Sequence, residues 1–198
     1  GYYEVLLKTH RTKVELTASD RVAFHRYTFP KDVEKHVMIN LKDANGDDRP
    51  TDTYLEQIND TVIRGYRYST GWSKKQQIYF SAVFSQPVHL TLYHDSVQVA
   101  GNRLQGLDVK GNVAVAPVVE ELGVKVGISP VSMENAMDNI GQEIKDWNFE
   151  NIVAETTGKW NAELSKLQVE TTDTVAKRIF YTALYHAFMQ PIMFNDCS

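Results

Sequence analysis

The sequence predicts a mainly β protein with C-terminal helices: a large antiparallel β-sandwich, then three helices. Three observations carry that prediction. Apolar residues recur with period two from Tyr2 to about Ile128, the period lengthens to that of an α-helix after Ser129-Pro130, and no helical stretch interrupts the first regime.

The strands come first. Tyr3, Val5 and Leu7 alternate with Glu4 and Leu6, and Val14, Leu16 and Ala18 alternate with Lys13, Glu15 and Thr17. Val22 to Pro30 carries His25-Arg26, where a basic side chain can pair with a carboxylate and order a sheet edge. Val37, Ile39 and Leu41 form one face against His36, Met38 and Asn40. Ile78-Phe80-Ala82-Phe84, Val88-Leu90-Leu92 and Val124-Val126-Ile128 repeat the pattern. Segments of this length, rich in Val, Ile, Tyr, Thr and Phe and parted by Gly, Asn, Asp or Pro, are half-buried antiparallel strands. About ten of them without intervening helices make a sandwich.

The helices follow. Ser132 caps the first, where Met133, Ala136, Met137, Ile140 and Ile144 share a face over 133–144. Gly141 to Asn148 reads as the connection, with Asp146 or Asn148 capping a second helix over 149–167. Its stripe is Phe149, Ile152, Val153, Trp160, Leu164 and Leu167. Thr172 with Asp173 starts a third helix over 173–189, in which Val175, Ile179, Phe180, Ala183, Leu184, Ala187 and Phe188 cover much of the circumference. A helix that is apolar on so many sides needs neighbours on several sides, and the chain offers two. The third helix is therefore expected to belong to a larger helical domain.

Composition narrows the function. With 198 residues, 42% hydrophobic and 23% charged, the chain is of an ordinary globular kind. A net charge of −4 without any basic run excludes a nucleic-acid partner. No stretch of about 18 apolar residues exists to form a membrane span. The single cysteine, Cys197, rules out a disulfide within the chain. Gly1-Tyr2-Tyr3 reads as strand from the outset and is no signal peptide, and Asn195 to Ser198 follows directly on a helix, so both ends are expected to be cut.

Several constellations invite a chemical reading. Asp43, Asn45 and Asp47 alternate like the start of a calcium loop, but the sixth position is Asp48 rather than Gly and the twelfth is Tyr54 rather than Glu. A polar hairpin with Asn45-Gly46 at its tip is the better reading. The histidines His10, His25, His36, His89, His94 and His186 lack the paired helical spacing of a zinc site, and His89 and His94, five apart, fall on opposite faces of a strand. A glycosidase needs two carboxylates as acid and base. Glu15, Asp20, Asp32, Glu34, Asp43, Asp47, Asp48, Asp52 and Asp60 read as turn or outward positions, and Glu134, Asp138, Glu143 and Asp146 as capping or solvated ones. Asp196 alone lies next to an apolar helix end, and spacing nominates no pair. Gly65 to Ser73, with Tyr66, Arg67, Tyr68 and Trp72, is either a sugar-stacking surface or a cross-strand aromatic ladder, the ladder being favoured.

An ordered set of blocks resembles a known family. It runs through Gly1-Tyr2-Tyr3, Thr17-Ala18 with Arg21, His25 to Pro30, Gly65-Tyr66 to Trp72-Ser73, Gln77 to Phe80 and Phe84-Ser85. It continues through Val126 to Ser132, Glu134-Asn135-Ala136, Trp160-Asn161 with Leu164, and Ile179 to His186. In order and spacing these are similar to the calcium-dependent α-mannosidases of glycoside hydrolase family ninety-two, over nearly the whole chain. The resemblance implies an N-terminal sandwich joined to a C-terminal (α/α) toroid, exo-acting removal of α-linked mannose with inversion, a calcium that helps distort the sugar, and export of the enzyme. It places residues 1–130 in the sandwich, truncated at its N-terminus, 131–170 in linker helices and 171–198 at the start of the toroid. In the family the acid, the base and the calcium ligands lie in the toroid past the last residue here. No catalytic, cofactor-binding, metal or substrate-binding residue is carried over, and calcium is expected in the full-length parent alone. Two functions follow as alternatives: a fragment of an α-mannosidase, inactive by itself and open to self-association, or a stand-alone carbohydrate-binding or interaction sandwich. The third helix, too apolar to close a finished domain, favours the first.

Overall fold

The structure is a computed structural model that describes residues 1–31, 33–190 and 192–197. Twelve strands precede three helices. The strands are β1 (Tyr3–Leu7), β2 (Thr12–Ala18), β3 (Val22–Thr28), β4 (Lys35–Asn40), β5 (Arg49–Asn59), β6 (Val62–Thr70), β7 (Gln76–Phe84), β8 (Val88–His94), β9 (Val97–Val99), β10 (Arg103–Gly106), β11 (Val109–Val115) and β12 (Glu121–Ser129). The helices are α1 (Met133–Glu143), α2 (Phe149–Leu164) and α3 (Thr174–Ala187). Ser132, Asn148 and Asp173 cap them, each side chain accepting from a backbone N–H of the first turn.

Eight strands form one antiparallel sheet in the order β1-β2-β3-β12-β7-β6-β5-β10, and four form a second in the order β4-β11-β8-β9. The core lies between them. Leu55, Ile63, Phe84 and Leu122 from the large sheet meet Leu90, Leu92 and Val113 from the small one. The opposite face of the large sheet is covered too, because Val22 and Phe24 pack against Ile140, Ile144, Phe149 and Ile152 of the helical segment. The protein thus has three layers: small sheet, large sheet and helices.

β12 displays the period-two logic within one strand. Leu122 and Val124 enter the sandwich core, whereas Lys125 points the other way and donates to the Ile144 carbonyl at 2.9 Å. Its ammonium lies 4.3 Å from the centre of the Trp147 ring. Gly127 completes the fit, since a Cβ there would stand 2.1 Å from the Ala136 carbonyl oxygen. Only glycine lets α1 lie this close to the sheet.

Three expectations change. The Asn45-Gly46 turn is no hairpin, because β4 and β5 belong to different sheets and the segment carries the chain from one to the other. The connection between α1 and α2 begins after Glu143 rather than at Gly141, which lies within the helix. Finally, β1 is an edge strand whose Tyr3, Leu6 and Leu7 are exposed, not half-buried.

Candidate functional site

The most developed polar site lies where the chain beyond α3 returns to the sandwich. Asn139, fully buried on α1, spends its amide nitrogen on the Ile128 carbonyl at 3.0 Å and on Asp196 Oδ1 at 2.9 Å. Its amide oxygen accepts the Cys197 N–H at 2.9 Å. Asp196 Oδ2 also accepts from Asn135 Nδ2 at 2.8 Å, one helical turn earlier, and from Ser129 Oγ at 2.9 Å. Beside it, Glu143 accepts from Ser19 Oγ at 2.6 Å, from Arg21 N at 2.9 Å and from Arg21 Nη1 at 2.8 Å. The Cys197 thiol donates to Glu143 at 3.2 Å, and Arg21 Nε donates to the Asn195 carbonyl.

Burial alone would raise the pKa of both carboxyls. The donors win. Asn135, Asn139 and Ser129 hold Asp196 below the usual carboxylate range, and Ser19 and Arg21 do the same for Glu143. Both groups are therefore anions with filled acceptor sites. Neither has the raised pKa of a general acid, and the hydrogen bonds from Ser129, Asn135 and Asn139 fix the chain segment at Asp196 and Cys197 in place.

Asp196, the acid next to an apolar helix end, takes its place from hydrogen bonds to Asn135 and Asn139, with the Arg21–Glu143 pair beside it, and the sequence pattern does not announce these neighbours. Glu143 is not the solvated residue expected of it but an ion-pair partner largely withdrawn from water. A usable signal was present, since two asparagines at i and i+4 disfavour a helix interior unless their side chains have partners.

The other candidates scatter. Asp43 accepts from Asn40 Nδ2 at 2.7 Å, and Asp48 pairs with Arg67 at 2.6 Å. His25 Nδ1 lies 2.9 Å from the Tyr27 hydroxyl, and His36 lies 3.4 Å from Glu34. Among the described residues, no three His, Cys, Asp or Glu side chains gather where they could hold a metal ion. Glu15 departs from its expected outward position. It is buried beneath α2, where Arg26 grips it with bonds of 2.9 and 2.8 Å, and Arg26 also pairs with Glu150. Tyr66 stacks on Tyr54 and Tyr68, and the Tyr68 and Tyr79 hydroxyls are 2.6 Å apart, so the tyrosines of this segment form the aromatic ladder, and Trp72 stands outside it.

The described helices include none long and apolar enough to cross a membrane. α3 stands apart from all these sites. It touches α2 through Trp160 and Tyr185, has no buried residue, and leaves Val175 66% and Ile179 64% exposed.

Two family models match, one after the other: the glycosyl hydrolase family 92 N-terminal domain over residues 1–129 and the family's catalytic domain over residues 135–198. The chain belongs to glycosyl hydrolase family 92. Among solved structures, a family GH92 α-mannosidase from Bacteroides thetaiotaomicron is 28% identical over 98% of this chain, with a TM-score of 0.91. The GH92 glycosyl hydrolase ccman5 is 25% identical over 91% of the chain, with a TM-score of 0.83. An inverting mannosidase of the family from Bacteroides thetaiotaomicron VPI-5482 shares the fold at a TM-score of 0.84, with 21% identity over 96% of the chain. The chain spans 27%, 25% and 26% of these three in turn. Among curated proteins no sequence match is found. In family 92 terms, Ser129 lies in the N-terminal match while Asn135, Asn139, Glu143 and Asp196 lie in the catalytic one, so the polar cluster ties the two together.

Proposed function

We propose that the chain is part of an exported, exo-acting α-mannosidase that removes terminal α-linked mannose from glycans with inversion and with the help of calcium. The likeness to the Bacteroides thetaiotaomicron α-mannosidase, at 28% identity and nearly full coverage of the chain, carries this reading. Residues 1–130 are its sandwich, 131–170 its linker helices and 171–198 the opening of its toroid. Inverting hydrolysis needs one carboxylic acid to protonate the leaving oxygen and one carboxylate to activate water. Asp196 and Cys197 are hydrogen-bonded to Ser129 and Asn139, so in this reading the chain's own part is structural: it anchors the segment beyond α3 to the sandwich and to α1.

Calcium fits none of the described side-chain groups here, since no three His, Cys, Asp or Glu side chains gather among them. It belongs to the catalytic remainder of the proposed enzyme. A stand-alone binding module is the weaker alternative, because the uncovered apolar face of α3 has no use in a finished domain. The test is hydrolysis of α-mannosides by the chain extended to the length of the matched enzymes, assayed with calcium and with chelator. Turnover that chelator removes is expected. An extended protein that folds, binds calcium and leaves α-mannosides intact overturns the proposal.

A further inference from the structure

Trp72 is the most exposed large apolar side chain among the described residues, at 104%. A single exposed apolar residue is ordinary. Its surroundings are not. The turn that bears it, between β6 and β7, is closed by Gly71 N–H donating to the Ser73 carbonyl at 2.9 Å. Gly71 lies against the sheet-crossing loop, where a Cβ would stand 2.9 Å from Asp48 Cα. Register brings the two loops side by side, with Arg49 opposite Thr70. Between them is an open cleft of about 570 Å³, walled by Trp72 and lined by Asn45, Asp47, Asp48 and Arg49.

The lining groups fall into two sets. Asp48 is committed, pairing at 2.6 Å with Arg67, whose Nε donates to the Leu41 carbonyl at 3.0 Å, and this fixes one side of the cleft. The side chains of Asn45, Asp47 and Arg49 make no hydrogen bond or ion pair among the described residues, and all three residues are exposed along the cleft. A flat indole beside an unspent amide, carboxylate and guanidinium matches a pyranose. The ring's C–H face covers the indole, and neighbouring hydroxyls bridge the planar polar groups in pairs. An anion fits poorly, because two carboxylates line the cleft. A divalent cation fits poorly too, because Arg67 already neutralises one of them.

We infer that this cleft is a carbohydrate-binding subsite, in which Trp72 stacks on a terminal α-mannoside residue while Asp47 and Asn45 bind its hydroxyls. The choice of mannose rests on the proposed function, whereas the pyranose geometry stands without it. The test follows the indole N–H signals of the ¹⁵N-labelled chain during titration with an α-linked mannobiose. Trp72→Phe assigns its signal among those of the three tryptophans. The Trp72 signal is expected to move at millimolar sugar while Trp147 and Trp160 stay, and Asp47→Ala, at an exposed position, is expected to weaken binding about tenfold.

An unmoved Trp72 signal overturns the subsite. So does movement with calcium chloride in place of sugar, and an equal response to the β-linked disaccharide cellobiose overturns the assignment of the α-mannoside. No bond is cleaved in this readout. Its failure therefore sinks the subsite and leaves the mannosidase proposal to the hydrolysis assay of the extended enzyme.

Discussion

The sandwich and α3 spend the same kinds of side chain in opposite ways. Leu55, Ile63, Leu92, Val113 and Leu122 are fully withdrawn from water between two sheets, while α3 displays Val175 and Ile179 to solvent and buries no residue. Burying one such side chain contributes about 1.5–3 kcal/mol, so the sandwich supports itself, and α3 lacks the surfaces that would stabilise it. α1 shows the difference in a single element. Its Ala136, Asn139 and Ile140 sit against β12, and Gly127 in the sheet lets it approach. Hydrophobicity alone therefore does not say whether a helix is packed. The partner surface does.

The largest effect expected is a contrast between two similar truncations. Leu122→Ala should cost about 2–5 kcal/mol in urea unfolding, and Ile179→Ala should stay within about 0.5 kcal/mol. Equal losses would mean that α3 is buried in solution. Next comes the polar junction. Asn139→Ala strands the Ile128 carbonyl and deprives Asp196 of a donor, for an expected loss of about 1–3 kcal/mol, with faster hydrogen exchange at the Cys197 amide. Unchanged exchange there would show that residues 195–197 are held by something else.

Acid provides a subtler probe of the sheet–α2 contact. Arg26 holds the Glu15 carboxyl at about 2, against the upward push of burial and with help from Tyr2 and Lys13, below its usual 4.5. The folded pKa is the lower one, so this stabilisation is complete above about 4.5 and drains away as pH falls towards about 2. Glu15→Gln should flatten the stability profile in that window, and an unaltered profile would remove Glu15 from the explanation. The smallest effect concerns association. The bare face of α3 is expected to draw chains together with rising concentration in light scattering, and Ile179→Lys should reverse it. A monodisperse monomer with that face wet would contradict the expectation.

How far the sequence could be read follows from the same contrast. Period two marks strands such as β8 and β12 because each has one buried face, and capping residues mark the helix starts: Ser132, Asn148 of the pair Asp146 or Asn148, and Asp173 of Thr172-Asp173. These are local signals. The Asn45-Gly46 segment misled because a turn's chemistry is the same whether its flanking strands pair with each other or with different sheets. Glu15 and Glu143 misled because charge suggests solvent until a distant Arg is folded against it. The Asp196 cluster joins β12, α1 and the chain end, and no spacing rule links residues 129, 139 and 196.

Under the proposed function this chain supplies a scaffold, and the acid and base of the reaction come from elsewhere in a family 92 enzyme. The most direct measurement is α-mannoside turnover by the chain itself in the presence of calcium. No release of mannose above background is the result expected. Turnover that disappears when one of the chain's own Asp or Glu residues is replaced by its amide would contradict it.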